Sequence, residues 1–274
     1  MTQLAEIFLV DNGSLRPEAT LALRGLAEAL TSYSGGVVHP VSLLHSHRVP
    51  DVALGGRAAR TVKRALREGI IAGKREFVIV PLFLGPSRAI IEYLPGLVSD
   101  LRVDTPDLQV RIADPLAGPD PTRPDERLAR ILAHHVTAVA AEKGMSSAKV
   151  ALVDHGTPTG PVNALRDAVA RQLSELLAAE VVAASMERRA GAEYDFNEPL
   201  LQRVDRVAGF AGGDLIVAMF FLLPGRHAGA GGDVASICEG LLAAGRYVRI
   251  EQTPLLGTHS MLLAILNDRL QAML

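Results

Sequence analysis

The chain reads the same way twice, and that repetition narrows its possible folds more than any other feature of its 274 residues. Ile7-Phe8-Leu9-Val10, a short apolar run, leads into Asp11-Asn12-Gly13-Ser14 and a helical pattern over residues 17–32. Val150-Ala151-Leu152-Val153 leads into Asp154-His155-Gly156-Thr157 and a helical pattern over residues 161–180. Deeper in each half, FVIVPLFLGPSRA (77–89) answers LIVAMFFLLPGRH (215–227), each a continuous apolar run that ends in a Gly/Pro turn. A third pair closes the halves: Asp114-Pro115-Leu116-Ala117-Gly118 before a helix from about residue 123, and Thr253-Pro254-Leu255-Leu256-Gly257 before one from about residue 260.

Short apolar runs without alternation suit strands buried on both faces of a parallel sheet. Strands that alternate with helical patterns of this length indicate βαβ units. The sequence therefore predicts an α/β protein of two similar lobes from an internal duplication, 1–144 and 145–274, each a parallel sheet flanked by helices. The hinge is expected near residues 141–147, where the hydrophobic pattern lapses. A ligand is expected in the cleft between lobes, at the carboxyl ends of the strands.

Composition removes several functional classes. Hydrophobic residues make up 49% of the chain, enough for a large core, but aromatics are only 4% and Trp is absent, so the core must be mainly Ala, Leu and Val. A net charge of -2 argues against a broad nucleic-acid-binding face. Cys238 is the only cysteine, which rules out an internal disulfide and thiolate metal cages within one chain. No signal peptide and no apolar stretch of membrane-spanning length is apparent, so a cytoplasmic protein without membrane partners is expected. No P-loop signature suggests use of ATP. A monomer or weak homo-oligomer is expected.

The candidate chemistry lies in the second half. His155 follows an apolar strand directly, and His227 ends another and enters a glycine-rich loop. Glu187 follows residues 181–186, which read as the next strand. Two imidazoles and a carboxylate at adjacent strand ends can hold a borderline divalent ion such as Co²⁺, Ni²⁺, Fe²⁺ or Zn²⁺. The same groups can accept protons near neutrality. Insertion of a metal into a porphyrin-like ring needs both, because two pyrrole N–H protons leave as the metal enters.

The Asp154-His155-Gly156-Thr157 turn, Glu187, the 221–227 segment and Pro254-Leu255-Leu256-Gly257-Thr258-His259 together resemble the sirohydrochlorin chelatases of cobalamin and sirohaem synthesis, over both halves of the chain. The resemblance implies two flavodoxin-like, chelatase-like lobes and ATP-independent insertion of Co²⁺ or Fe²⁺, with Ni²⁺ as a further metal substrate, into sirohydrochlorin or a related tetrapyrrole. It implies no prosthetic group. It makes His155 and His227 metal ligands and proton acceptors, with Glu187 assisting. The alternatives are a non-catalytic tetrapyrrole- or metal-binding protein of the same fold and a protohaem-type ferrochelatase, the latter disfavoured by the scarce aromatics.

The first half departs from this pattern. Asn12 stands where His155 stands, Ala89 or Ser87 where His227 stands, and Leu44 or His45 where Glu187 stands. The N-terminal lobe is therefore expected to carry a degenerate site, whereas many two-lobed sirohydrochlorin chelatases keep the key groups in that half. Sirohydrochlorin bears many carboxylates, and Arg226, Arg188, Arg189 and Arg88 are candidates to receive them. His39, His45 and His47 read as solvated, His134 and His135 as exposed on a charged helical pattern, and His259 as structural near a helix start.

Overall fold

The computed structural model describes residues 5–274 and consists of two compact units, each built on a four-stranded parallel sheet. The first sheet contains β1 (Glu6–Asp11), β2 (Val38–Ser42), β3 (Glu76–Pro81) and β4 (Gln109–Ile112), in the order β2-β1-β3-β4. The second contains β5 (Lys149–Asp154), β6 (Val181–Ser185), β7 (Asp214–Met219) and β8 (Arg249–Gln252), in the order β6-β5-β7-β8. The order is identical, as a duplication requires. It reverses direction between β1 and β3, and again between β5 and β7, which are the switch points of an open α/β sheet.

The apolar runs form the strands because both faces are covered. Every residue of β1 after Glu6 and of β5 after Lys149 is buried. Leu9, Val10, Leu152 and Val153 are fully so, each contributing about 1.5–3 kcal/mol of hydrophobic stabilisation. Parallel strands need crossovers, supplied by α1 (Pro17–Ser34), α2 (Val62–Ile71) and α3 (Leu94–Asp104) in the first repeat. Proline at the first turn and Gly35 at φ 75 bound α1. In the second repeat α5 (Gly160–Leu177) and α6 (Asp233–Ala243) cross over. Two short 3₁₀ turns, Ala192–Asn197 and Leu201–Arg206, stand where the first repeat has α2.

The units divide differently from the sequence repeat. The first comprises the residues up to Pro119 together with Leu263–Leu274, and the second comprises Asp120–Leu262. Helix α4 (Arg127–Lys143), which follows the first sheet in sequence, packs against α5 and β7 in the second unit. Helix α7 (Ser260–Gln271), which follows the second sheet, joins the first, where Arg269 Nε donates to the Pro115 carbonyl at 3.1 Å. The two repeats have thus exchanged their last helices. Periodicity marks the apolar face of a helix but not the sheet that covers it, so the boundary expected at 144/145 follows the repeat and not the packing. No helix among the described residues is long and apolar enough to cross a membrane.

Candidate active site at the β5–β7 switch point

Hydrogen bonds between strand ends give the correspondence of the two halves residue by residue. Leu44 N–H donates to the Asn12 carbonyl, and Glu187 N–H to that of His155. Leu82 N–H donates to the Val10 carbonyl, and Phe220 N–H to that of Val153. Asn12 therefore matches His155, and Leu44, not His45, matches Glu187. Counting on from Leu82 and Phe220 without a gap brings Ala89, not Ser87, to the place of His227. The third pair of segments shifts by one: Ala113 and Thr253 N–H groups donate to Ile79 and Val217, so Ala113 matches Thr253.

His155 sits just past β5 and His227 in the loop after β7, the two strands that flank the switch point. Their rings meet edge to face with centroids 4.5 Å apart. Glu187, just past β6, brings Oε1 to 3.4 Å from His155 Nε2. The structure thus gathers all three residues. They remain open to solvent, with His155 46%, Glu187 60% and His227 32% exposed.

Each imidazole is oriented through Nδ1. His155 Nδ1 lies 3.0 Å from the Gly156 carbonyl, and His227 Nδ1 lies 2.6 Å from Asp233 Oδ2. A carbonyl only accepts, and an ionised carboxylate does the same, so both contacts favour a proton on Nδ1, which leaves Nε2 of His227 with its lone pair and Nε2 of His155 facing the Glu187 carboxylate. Asp233, which opens α6, is a residue that the sequence analysis did not single out. A carboxylate six residues after the histidine, at the first position of a helix, was the signal available.

A buried polar network fixes the turn that carries His155. Asp154 Oδ1 accepts from Gly156 N–H at 3.0 Å and from Ser185 Oγ at 2.7 Å, and Ser185 Oγ in turn accepts from Arg166 at 2.6 Å. Burial pushes the Asp154 carboxyl above its ordinary range, against the opposing pull of Ser185, Arg166, Gly156 and His155. Asn197 holds the same turn from the other side: its Oδ1 accepts from Thr157 N–H and its Nδ2 donates to the Thr157 carbonyl, both at 2.9 Å. Gly156 has φ 90, and a Cβ there would lie 1.9 Å from the Glu187 carbonyl oxygen, so only glycine lets β5 and β6 end side by side.

The arginines differ in what already holds them. Arg188 is paired with Asp195 and Glu198, and Arg88, in the first unit, is paired with Glu92 at 2.9 Å. Arg189 lies over the Tyr194 ring. Arg226 is 78% exposed and has only a loose contact with Asp233 at 3.7 Å. His134 is exposed as expected, but His135 is buried on the inner face of α4, a correction to the sequence reading. Buried Cys238 has its thiol pushed up to about 12 by burial, so it offers no thiolate.

Two parallel-sheet units with strand order 2-1-3-4 and histidines at the switch point of one define a two-lobed, chelatase-like α/β protein. Among solved structures the chain is similar to SirB from Bacillus subtilis with Fe³⁺, with a TM-score of 0.71 and 15% identity over 98% of this chain and 95% of that one. It is similar to the sirohydrochlorin chelatase SirB from Bacillus subtilis subspecies spizizenii in complex with cobalt, with a TM-score of 0.70 and 13% identity over 98% and 94%. It also resembles CbiX, described as the terminal enzyme for biosynthesis of siroheme in denitrifying bacteria, with a TM-score of 0.57 and 18% identity over 98% and 99%. No curated protein matches it by sequence. Residues 6–137 match the CbiX family model, and the whole chain has the fold of the two-lobed chelatases.

Proposed function

We propose that this protein inserts a divalent metal, Co²⁺ or Fe²⁺, into sirohydrochlorin or a closely related tetrapyrrole without ATP, using the C-terminal site. The observation that carries this reading is the convergence of His155, His227 and Glu187 at the β5–β7 switch point, with Nδ1 of each ring engaged by an acceptor. The metal-free macrocycle must lose two N–H protons as one M²⁺ enters. Each imidazole can receive one proton at Nε2, the one on His155 stabilised by the Glu187 carboxylate beside it, and Glu187 can draw the metal from its hydration shell. Asp233 stabilises the positive charge that His227 acquires on accepting a proton. Arg226 is the arginine most open to a substrate carboxylate. The Fe³⁺ and the cobalt named for the SirB structures support a transition metal as substrate.

The test is to mix the protein with sirohydrochlorin and Co²⁺ under anaerobic conditions and follow loss of the metal-free absorption. Many turnovers per chain are expected. His155→Ala and His227→Ala should each slow insertion about 10²–10⁴-fold, the usual value of a positioned base. Tetrapyrrole binding without turnover would make the chain a carrier and overturn the reading.

A further inference from the structure

Three more histidines, none of them in the switch-point group, converge within the second unit. His134 and His135 lie on α4, and His259 ends the turn between β8 and α7. Consecutive helix residues do not face each other, and the rings of His134 and His135 are 6.1 Å apart. His259 bridges them, 5.1 Å from the first ring and 5.4 Å from the second. One ring nitrogen from each residue lies within 4.8 Å of the others, and among the described residues this is the group of three or more potential ligands that clusters so closely.

We propose that His134, His135 and His259 form a second metal site, which takes a borderline divalent transition cation such as Zn²⁺ and ties α4 to the segment that enters α7. In tetrahedral coordination at about 2.0–2.1 Å, ligand nitrogens stand about 3.3 Å apart. His259 Nε2 and His134 Nδ1 are 3.2 Å apart, so one edge of that tetrahedron is already formed. His135 is 6% exposed, and its Nδ1 is buried without a hydrogen-bond partner. Buried ring nitrogens ordinarily find a partner, and this one is left over inside a cluster of imidazoles.

Three imidazoles without thiolate or carboxylate select Zn²⁺, Co²⁺, Ni²⁺ or Cu²⁺ over Mg²⁺ or Ca²⁺. Burial, reinforced by the neighbouring imidazoles, holds His135 below the ordinary imidazole range, and burial and His134 do the same for His259. Neutral rings are the form that binds metal. At His259, Nδ1 accepts from Met261 N–H at 3.1 Å, which places the proton on Nε2. Metal binding at Nε2 moves that proton to Nδ1 and gives up the Met261 hydrogen bond, so occupancy is felt at the first turn of α7.

This site goes beyond the proposed insertion chemistry and does not depend on it. Full-length protein carrying His155→Ala and His227→Ala, which removes the switch-point imidazoles, is titrated with Zn²⁺ alone by calorimetry and by thermal melting. One equivalent should bind, and the melting temperature should rise with Zn²⁺ concentration. Adding His134→Ala, a change at an exposed position, should weaken binding by at least about tenfold, the scale of losing even an outer-shell partner. His259→Ala should do the same. Failure of the doubly substituted protein to bind Zn²⁺, or binding unchanged by His134→Ala, would overturn the site whether or not the wild type proves to be a chelatase.

Discussion

At the scale of single residues, the two halves differ by a handful of side chains on one backbone. Asn12, Leu44 and Ala89 supply an amide, an alkyl group and a methyl where the second half supplies two imidazoles and a carboxylate. The Asp233 contact is the part of the candidate site that can be weakened without removing a ligand. Asp233→Asn keeps the shape but lets the amide present N–H to His227, which favours the other tautomer. We expect turnover to fall about 10–100-fold with little change in melting temperature. Turnover equal to wild type would mean that Asp233 serves only to start α6. Next to Asn12, Asp11 is the counterpart of Asp154. Its Oδ1 has no partner, and burial pushes its carboxyl up to about 6 from 3.8. The folded state therefore keeps the Asp11 proton to higher pH than the unfolded state does, and stability drains as pH rises from about 4 through about 6. Asp11→Asn, which cannot ionise, should be more stable than wild type at pH 8 by on the order of 3 kcal/mol, with the advantage gone near pH 4. Urea unfolding across that range checks the sign.

At the scale of elements, the paired strand ends are the common device of both halves, and two glycines keep them together. Gly13 has φ 86, and a Cβ there would meet the Leu44 carbonyl oxygen at 1.8 Å, as one on Gly156 would meet that of Glu187. Gly13→Ala and Gly156→Ala should each cost about 2 kcal/mol or more, since alanine is strained at that φ and must push a strand end aside. Only Gly156→Ala should also reduce turnover per folded molecule, because it alone displaces Glu187. Equal losses from both variants would place chemistry in the first half as well. Most elements were legible in the sequence: the continuous apolar runs became β1, β3, β5 and β7, and the helical patterns became α1 and α5 within a few residues. The placement of His155 and Glu187 was legible because each lies just past a strand, which fixes where a side chain starts, whereas the apolar run that led to His227 continues eight residues beyond the end of β7 at Met219. Asp233 and the His134–His135–His259 cluster were not legible, because their convergence depends on how a loop turns back and how α4 docks. The register at Thr253 slipped because Pro115 and Pro254 look equivalent in sequence, whereas the ladder pairs Ala113 with Thr253.

At the scale of the whole molecule, the exchanged helices make the first unit depend on a distant stretch of chain, whereas the second is continuous. Ile265, Leu266 and Leu270 of α7 are fully buried, together contributing on the order of 5–9 kcal/mol, comparable to the stability of an ordinary domain. Deleting residues 263–274 should therefore collapse hydrogen-exchange protection in β1–β4 and spare β5–β8. Loss in the opposite order would show that α7 belongs energetically to the sheet it follows. The same crossing bears on how the protein is made. Domains of a nascent chain generally close in the order in which they emerge from the ribosome. Here the first sheet emerges early but must wait for its last helix until residues 263–274 are made, while residues 120–262 are complete before that helix is out. The unit translated second is thus the one that can finish first, while the first sheet still waits with the surface that α7 covers exposed.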